Sequence, residues 1–359
     1  SNSWDSWPFG PAIEAQSAIV MEFNSGAVLY EKASDTKLYP ASITKIMTTL
    51  LACENNAMDK EVVISENAVH NISEDSSSAY LEPGEKLNME QLLMAVMLQS
   101  ANDAAYQAAE ETSGSMKKFV ELMNLRVRQL GCTSTHFNNP HGLHSQYHYT
   151  TARDMATIAR YAWKNARFRS FANTVTYDIP PTNKNEETRY YLNNHKMMKT
   201  EVNEYEGVLG GKTGYTDEAG NTLVTVAQRG SLTVVVVVLN GIGGAYSDTA
   251  ALLDYAFENF ANTRIDTLVE QPARKTLFAD QMLLRDGIWP SVLQATSRSY
   301  VTLPKGVSTD RLVSTAEVMV NSPCADRIRT SCYYGGRFVG SCICNKKEVL
   351  PDLLKKLKW

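Results

Sequence analysis

An α+β fold is expected: an antiparallel sheet flanked by helices with a helical subdomain, followed by a small all-β domain. Three observations lead there. Short β-rich runs stand at the start of the chain and again between residues 208 and 239, a succession of amphipathic helices lies between them, and helical periodicity nearly vanishes after about Asp266. At 359 residues the chain exceeds one average domain, and its 43% hydrophobic and 21% charged residues are ordinary globular composition. A net charge of −4 gives no broad basic surface, so nucleic acid is not an expected partner. The apolar run at residues 234–239 is far too short to span a membrane and reads as a buried strand.

Taken in order, residues 18–22 and 27–30 form a hairpin about Asn24-Ser25-Gly26, a sequence with turn chemistry at its tip. Next comes Tyr39-Pro40-Ala41-Ser42-Ile43-Thr44-Lys45. Pro40 suits a helix start, and Ile43, Ile46, Met47, Leu50 and Leu51 recur at helical spacing. Ser42 and Lys45 are three apart, so they share one side of that helix. A hydroxyl becomes a nucleophile when a neighbouring base takes its proton, and a lysine serves only when neutral, a state that burial near other cations favours.

Residues 61–64 and the stretch to Gly84 read as short strands and loops. Residues 89–98 make an amphipathic helix whose methionines belong to the core. It runs into Gln99-Ser100-Ala101-Asn102-Asp103, a connection that places Ser100 and Asn102 ahead of an alanine-rich helix beginning at Ala104. A further helix over residues 116–130 closes at Gly131. His141, His144 and His148 lie in a loop without the acidic partners or the helix of a zinc-protease site, so they read as structural or rim histidines, and no metal is expected. Residues 151–164 return to helix, capped by Thr150 or Thr151.

After a polar, loop-rich interval comes Gly210-Gly211-Lys212-Thr213-Gly214-Tyr215-Thr216, the leading strand of an antiparallel set continued by residues 223–228 and 232–239. Its glycines let another backbone or a ligand approach. It is not a phosphate loop, because Glu206 stands where the first glycine of that motif belongs. A helix over residues 250–260 should pack on this sheet. The expected domains are residues 1–262, the small β-rich domain 263–349, and a basic amphipathic segment from 350 to 359 that reads as solvated or as lying on an anionic membrane surface. Of the six cysteines, Cys53 and Cys132 read as buried thiols. Cys324, Cys332, Cys342 and Cys344 lack zinc-site spacing, and their pairing stays open. No signal peptide opens the chain; Ser1-Asn2 followed at once by folded-looking sequence fits a mature protein whose export signal has been removed.

Ser42-x-x-Lys45, Ser100-x-Asn102 and Lys212-Thr213-Gly214 stand in one order on a helix, an interhelix connection and a strand. With Pro-Ala-Ser-Ile-Thr-Lys-Ile-Met-Thr, Asn-Pro-His-Gly-Leu, Thr-Ala-Arg-Asp-Met-Ala and Gly-Lys-Thr-Gly-Tyr-Thr-x-x-Ala-Gly, the chain resembles the serine penicillin-recognising enzymes. It is most similar to the low-molecular-mass penicillin-binding proteins that act as D-alanyl-D-alanine carboxypeptidases. The resemblance covers residues 18–260 well and the β-rich remainder more loosely. It implies a β-lactamase/transpeptidase-like fold, no cofactor, and a peptidoglycan stem peptide ending in D-Ala-D-Ala as substrate. Covalent acylation by β-lactam antibiotics, and work on the outer face of the cytoplasmic membrane with the C-terminal segment as tether, follow from the same likeness.

The roles it implies are Ser42 as nucleophile, Lys45 as base, Ser100 as proton relay and Asn102 as a hold on Lys45 and the substrate amide. Lys212 and Thr213 would receive the terminal carboxylate. The backbone N–H groups of Ser42 and Tyr215 would meet the oxyanion, with Gly214 among the substrate-binding residues. Asn193-Asn194-His195-Lys196 departs from relatives at the substrate rim. A class A β-lactamase shares the three motifs but needs a glutamate in Glu-x-x-Leu-Asn, and Arg189 holds that position before Leu192-Asn193. A catalytically silent wall-binding scaffold is the other alternative, and the intact motif residues argue against it.

Overall fold

A computed structural model describes residues 7–73, 75–198, 204–265, 291–295, 299–318 and 327–348. In chain order the elements are β1 (Ser17–Glu22), β2 (Val28–Lys32), a 3-10 turn (Ala41–Thr44), α1 (Lys45–Asn55), β3 (Glu61–Val63), α2 (Glu66–His70), β4 (Lys86–Asn88), α3 (Met89–Leu98), α4 (Asn102–Ser113), α5 (Met116–Gln129), α6 (Ala152–Lys164) and α7 (Ala166–Asn173). Then come β5 (Thr176–Ile179), β6 (Arg189–Leu192), β7 (Val208–Thr216), β8 (Gly220–Arg229), β9 (Leu232–Gly241), α8 (Ala245–Asn259), β10 (Phe260–Arg264), β11 (Ser291–Ala295), β12 (Tyr300–Pro304), β13 (Val313–Val318), β14 (Arg327–Tyr334) and β15 (Arg337–Glu348).

The chain divides into two compact units. The larger holds Gly10–Met21 and Tyr30–Ala256; the smaller takes Ser1–Phe9, Glu22–Leu29 and Phe257–Trp359. The main sheet runs β2-β1-β9-β8-β7, with β7, β8 and β9 antiparallel in turn. Its centre is set by sequence: residues 234–239 are Val-Val-Val-Val-Val-Leu and all are buried, as a strand covered on both faces requires. The β1–β2 turn closes on Gly26 at φ 79°, with its N–H on Glu22 O at 3.0 Å.

Helices α1, α3, α4 and α6 are packed around one another, and α1 is buried almost throughout. Local chemistry sets their ends. Asn88 and Gln91 form a reciprocal capping box on α3, the Thr151 hydroxyl accepts from the Asp154 N–H to start α6, and Gly114 at φ 74° ends α4. Two helices were not legible in the sequence. The five residues of α2 start at the Ser65 cap, and α7 starts at Asn165, whose side chain caps it immediately after α6 ends. Neither short run shows enough periodicity to stand out.

In the smaller unit β10 pairs with β12, and a second sheet runs β11-β15-β14-β13. Ile265, Val301, Leu303, Cys332, Tyr334, Val339 and Cys342 form its core, with Trp7 packed against them. Cys53 and Cys132, in the larger unit, are buried free thiols, and burial pushes each up to about 12, so they are inert at neutral pH. Cys324 and the 350–359 segment lie outside the described residues. Among the described residues no helix is long and apolar enough to cross a membrane.

Candidate active site

Ser42 sits in the 3-10 turn ahead of α1, whose first residue is Lys45. The turn is clamped from three sides. Thr222 on β8 donates its hydroxyl to Pro40 O at 2.9 Å, Gly214 on β7 lies so close that a Cβ there would be 2.8 Å from Ser42 N, and Gly142 abuts Ala41. Ala41 adopts φ 51°, unusual for a residue with a side chain, within this packed turn.

Lys45 is fully buried; its Nζ lies 3.0 Å from Ser42 Oγ and donates to Asn102 Oδ1 at 2.7 Å and to His141 O at 2.7 Å. Burial, then the nearby Lys212 cation, holds the amine well below the usual lysine range; the Asp103 carboxylate opposes this and is outweighed. Lys212 is 1% exposed on β7 and donates to Ser100 Oγ and Thr213 O, each at 3.0 Å. Burial brings it down to about 7. Two amines therefore converge, one on each serine: Lys45 on Ser42 and Lys212 on Ser100.

Ser100 occupies φ 59° between α3 and α4, a left-handed position that turns its hydroxyl toward Lys212. The sequence placed Asn102 on the connection; it is instead the first residue of α4, with Ala101 as cap. Starting the helix two residues early gives the Asn102 amide a rigid base from which to reach Lys45. Ser42, Ser100, Asn102, Thr213, Gly214 and Tyr215 all line one open cleft of about 810 Å³. The Tyr215 ring is exposed and donates to Asp217.

The histidines divide by position. His141 contributes its carbonyl to Lys45, and its ring Nδ1 accepts from the Leu143 N–H. His148 accepts from the Asn138 N–H at Nδ1, so Nε2 carries the proton and donates to Thr44 Oγ1 at 2.8 Å. Burial drives both down to about 3, so both are neutral struts. His144 lies at the cleft rim, edge-on to Tyr39. Among the described residues no group of three or more His, Cys, Asp or Glu could hold a metal.

The 193–196 segment is only half rim. Asn194 and Lys196 line the cleft, whereas Asn193 and His195 are buried, with His195 Nε2 2.8 Å from Thr225 Oγ1 and its ring beneath Gly211. Arg189 does not face the cleft chemistry, because its guanidinium is paired with the buried Glu85 carboxylate. Sequence reading missed the carbonyl of His141, the Thr44–His148 strut and the Thr48 hydroxyl on Pro140 O at 2.6 Å. A backbone acceptor leaves no side-chain signature, and the Asn-Pro-His-Gly string was its one trace.

A buried amine of lowered pKa on a serine hydroxyl and a second serine–lysine pair across an open cleft together define a serine-type hydrolase of the penicillin-recognising fold. The sequence profile described as D-alanyl-D-alanine carboxypeptidase, peptidase family S11, matches residues 6–243, and the chain belongs to that family. D-alanyl-D-alanine carboxypeptidase DacF of Bacillus subtilis (strain 168) is 36% identical over 255 residues, which are 69% of this chain and 64% of DacF. The match thus spans a little under two thirds of that relative's length. DacA of Escherichia coli (strain K12) is 31% identical over 313 residues, 83% of this chain and 73% of DacA. Among solved structures, penicillin binding protein 5 from Haemophilus influenzae superposes with a TM-score of 0.75 at 25% identity, over 95% of this chain and 98% of that one. The Streptomyces K15 DD-transpeptidase gives 0.65 at 33% identity, over 70% of this chain and all of that one.

Proposed function

We propose that the protein is a D-Ala-D-Ala carboxypeptidase that trims peptidoglycan stem peptides through an acyl-enzyme on Ser42. The observation that carries this reading is the 3.0 Å contact between the buried Lys45 amine and Ser42 Oγ. With Lys45 neutral, its lone pair takes the hydroxyl proton as Oγ attacks the carbonyl of the penultimate D-alanine. The amides of Ser42 and Tyr215 receive the oxyanion; the closeness of Gly214 to Ser42 N supports that pairing, and removing one such donor would cost about 3 kcal/mol of transition-state stabilisation. The C–N bond then breaks as a proton reaches the leaving amine through Ser100, D-alanine departs, and water hydrolyses the ester.

Lys212 and Thr213 attract the substrate's terminal carboxylate. Asn102 holds both Lys45 and the scissile amide. β-Lactams acylate the same Ser42 and leave slowly, because the position where class A β-lactamases keep a deacylating glutamate is Arg189, engaged with Glu85. Work outside the cytoplasmic membrane, with residues 350–359 on an anionic surface, belongs to this reading as well; sedimentation with anionic vesicles, with and without that segment, tests it.

The decisive experiment measures D-alanine release from a peptide ending in D-Ala-D-Ala by the wild type and by Ser42→Ala, alongside labelling by a fluorescent penicillin under denaturing electrophoresis. Release and labelling are expected from the wild type alone. Release by the mutant would remove Ser42 from the mechanism, and an unlabelled wild type would leave a silent scaffold.

A further inference from the structure

The carboxylate of Asp103 is 1% exposed and stands immediately after Asn102. Its Oδ1 accepts from Ala79 N at 3.0 Å and Ala104 N at 2.8 Å; its Oδ2 accepts from Ser78 Oγ at 2.6 Å and from Ala79 N and Leu81 N at 3.1 Å each. The backbone N–H partners can only donate, and the carboxylate offers them an acceptor on both of its oxygens. Beside this anchor, Asn102 N donates to Ser77 O at 2.8 Å. Residues 77–81 are therefore drawn as a strap across the start of α4. The strap holds Tyr80 at φ 54° with its ring 83% exposed, a conformation its own sequence would not choose. Ser76 and Ser77 line the cleft facing Ser42 and Ser100.

We propose that Asp103 is a positioning residue for the reaction: its buried carboxylate fixes the 77–81 strap, whose first residue lines the cleft, and through that strap the placement of Asn102 and the left-handed Ser100 turn. The proposal rests on the acyl-enzyme reading and adds to it the group that keeps the second motif in place. The two serines and two lysines come from different elements, and a displacement of about 1 Å in one of them is enough to lower a rate roughly a hundredfold. Asp103 ties the least regular of those elements to a helix.

The same carboxylate has an electrostatic consequence that a mere strut lacks. Lys45 is lowered by burial and by the Lys212 cation on β7 and pulled upward by Asp103 on α4, while the His141 and His148 rings of the loop before α6 stand near it as neutral groups. Asp103 itself faces Arg189 and Tyr191 on β6. Neutralising Asp103 therefore lets Lys45 fall further, and the acid limb of the acylation profile should move to lower pH.

The test compares the second-order rate of acylation by a fluorescent penicillin, from acid to alkaline pH, for wild type, Asp103→Asn and Ser78→Ala, with thermal melting of each. In Asp103→Asn an amide NH2 faces N–H donors. The expected result is acylation slower by about tenfold or more, with the acid limb displaced to lower pH, at temperatures where the variant is folded. Ser78→Ala keeps the anion and loses one strap anchor, so its rate should fall several-fold with the limb in place. If Asp103→Asn is folded and shows the wild-type rate, or an unmoved limb, the proposal is overturned. If it does not fold, Ser78→Ala decides, and a wild-type rate there overturns the strap. A wild type that is not acylated at all would fail the functional reading and not this one.

Discussion

Gly142 is packed so tightly on Ala41 that a Cβ at 142 would overlap the Ala41 carbonyl and come within 3.0 Å of Ser42 N. Gly142 also holds φ 91°, which residues with side chains rarely adopt. One residue before it is the His141 carbonyl that accepts from Lys45, and Asn139 Oδ1 accepts the Gly142 N–H at 2.7 Å. Gly142→Ala should therefore push the 139–143 loop off the nucleophile turn. A stability loss of about 2 kcal/mol or more is expected, with acylation falling by more than tenfold. Chemical denaturation and penicillin-acylation kinetics measure the two effects, and the rate loss should persist at temperatures where the variant is fully folded.

The two active-site amines predict a bell-shaped profile with separable limbs. Lys45 must be neutral, so kcat/KM is lost as pH falls through its lowered pKa. Lys212 must be charged to hold a carboxylate, and burial brings it to about 7, so substrate binding weakens as pH rises through that range. A bound carboxylate stabilises the ammonium, so kcat should persist to higher pH than kcat/KM. A peptide whose terminal carboxylate is amidated should lose the alkaline limb and keep the acid one. Steady-state kinetics on the paired substrates would reveal whether the limb belongs to Lys212.

Much of this arrangement was legible in residue types and spacing, because three short motifs each carry their own chemistry and local geometry. The three-residue separation of Ser42 and Lys45 yields a 3.0 Å contact whether the turn is 3-10 or α. Val234 to Leu239 announces a central strand by composition, and Met89 to Leu98 a buried helix by pattern. What stayed hidden depends on tertiary neighbours. The backbone acceptor at His141, the left-handed Ala41 and Ser100, and the burial of His195 under Gly211 exist only once distant segments meet. Asp103 read only as one of the polar residues of the connection before the alanine-rich helix, and its partners at 78–81 lie more than twenty residues away.

Buried histidines should make the fold sensitive to mild acid. His141 and His148 are driven down to about 3 and His195 to about 4, in each case first by burial, against 6.5 for the free side chain. Between those values the unfolded chain binds protons that the folded chain refuses. The stability they allow is therefore full above about pH 6.5 and falls as pH drops toward 4, by about 1.4 kcal/mol per pH unit for each histidine. Urea midpoints at pH 7 and pH 5 should show this slope. His195→Gln, which keeps a polar group toward Thr225 without a titrating ring, should flatten it by one proton's worth.

Glu85 is fully buried and receives hydrogen bonds from both guanidinium nitrogens of Arg189, at 2.7 and 3.0 Å, and from the Thr182 hydroxyl at 2.8 Å. Burial alone would raise this carboxylate, and the bonds from Arg189 and Thr182 more than reverse it, so its pKa is lowered. The pair joins the turn before β4 to β6. Arg189→Met would leave the carboxylate buried without a counter-charge, which costs about 3–5 kcal/mol, whereas the double variant Arg189→Met with Glu85→Gln removes the stranded charge and should recover a large part of the loss. Denaturant melts of the single and double variants read the coupling. Penicillin acylation of the folded double variant should stay within a few-fold of wild type, since neither side chain touches Ser42, Lys45, Ser100 or Lys212; a collapse of that rate with stability restored would give Arg189 a part in the reaction that its contact with Glu85 does not provide.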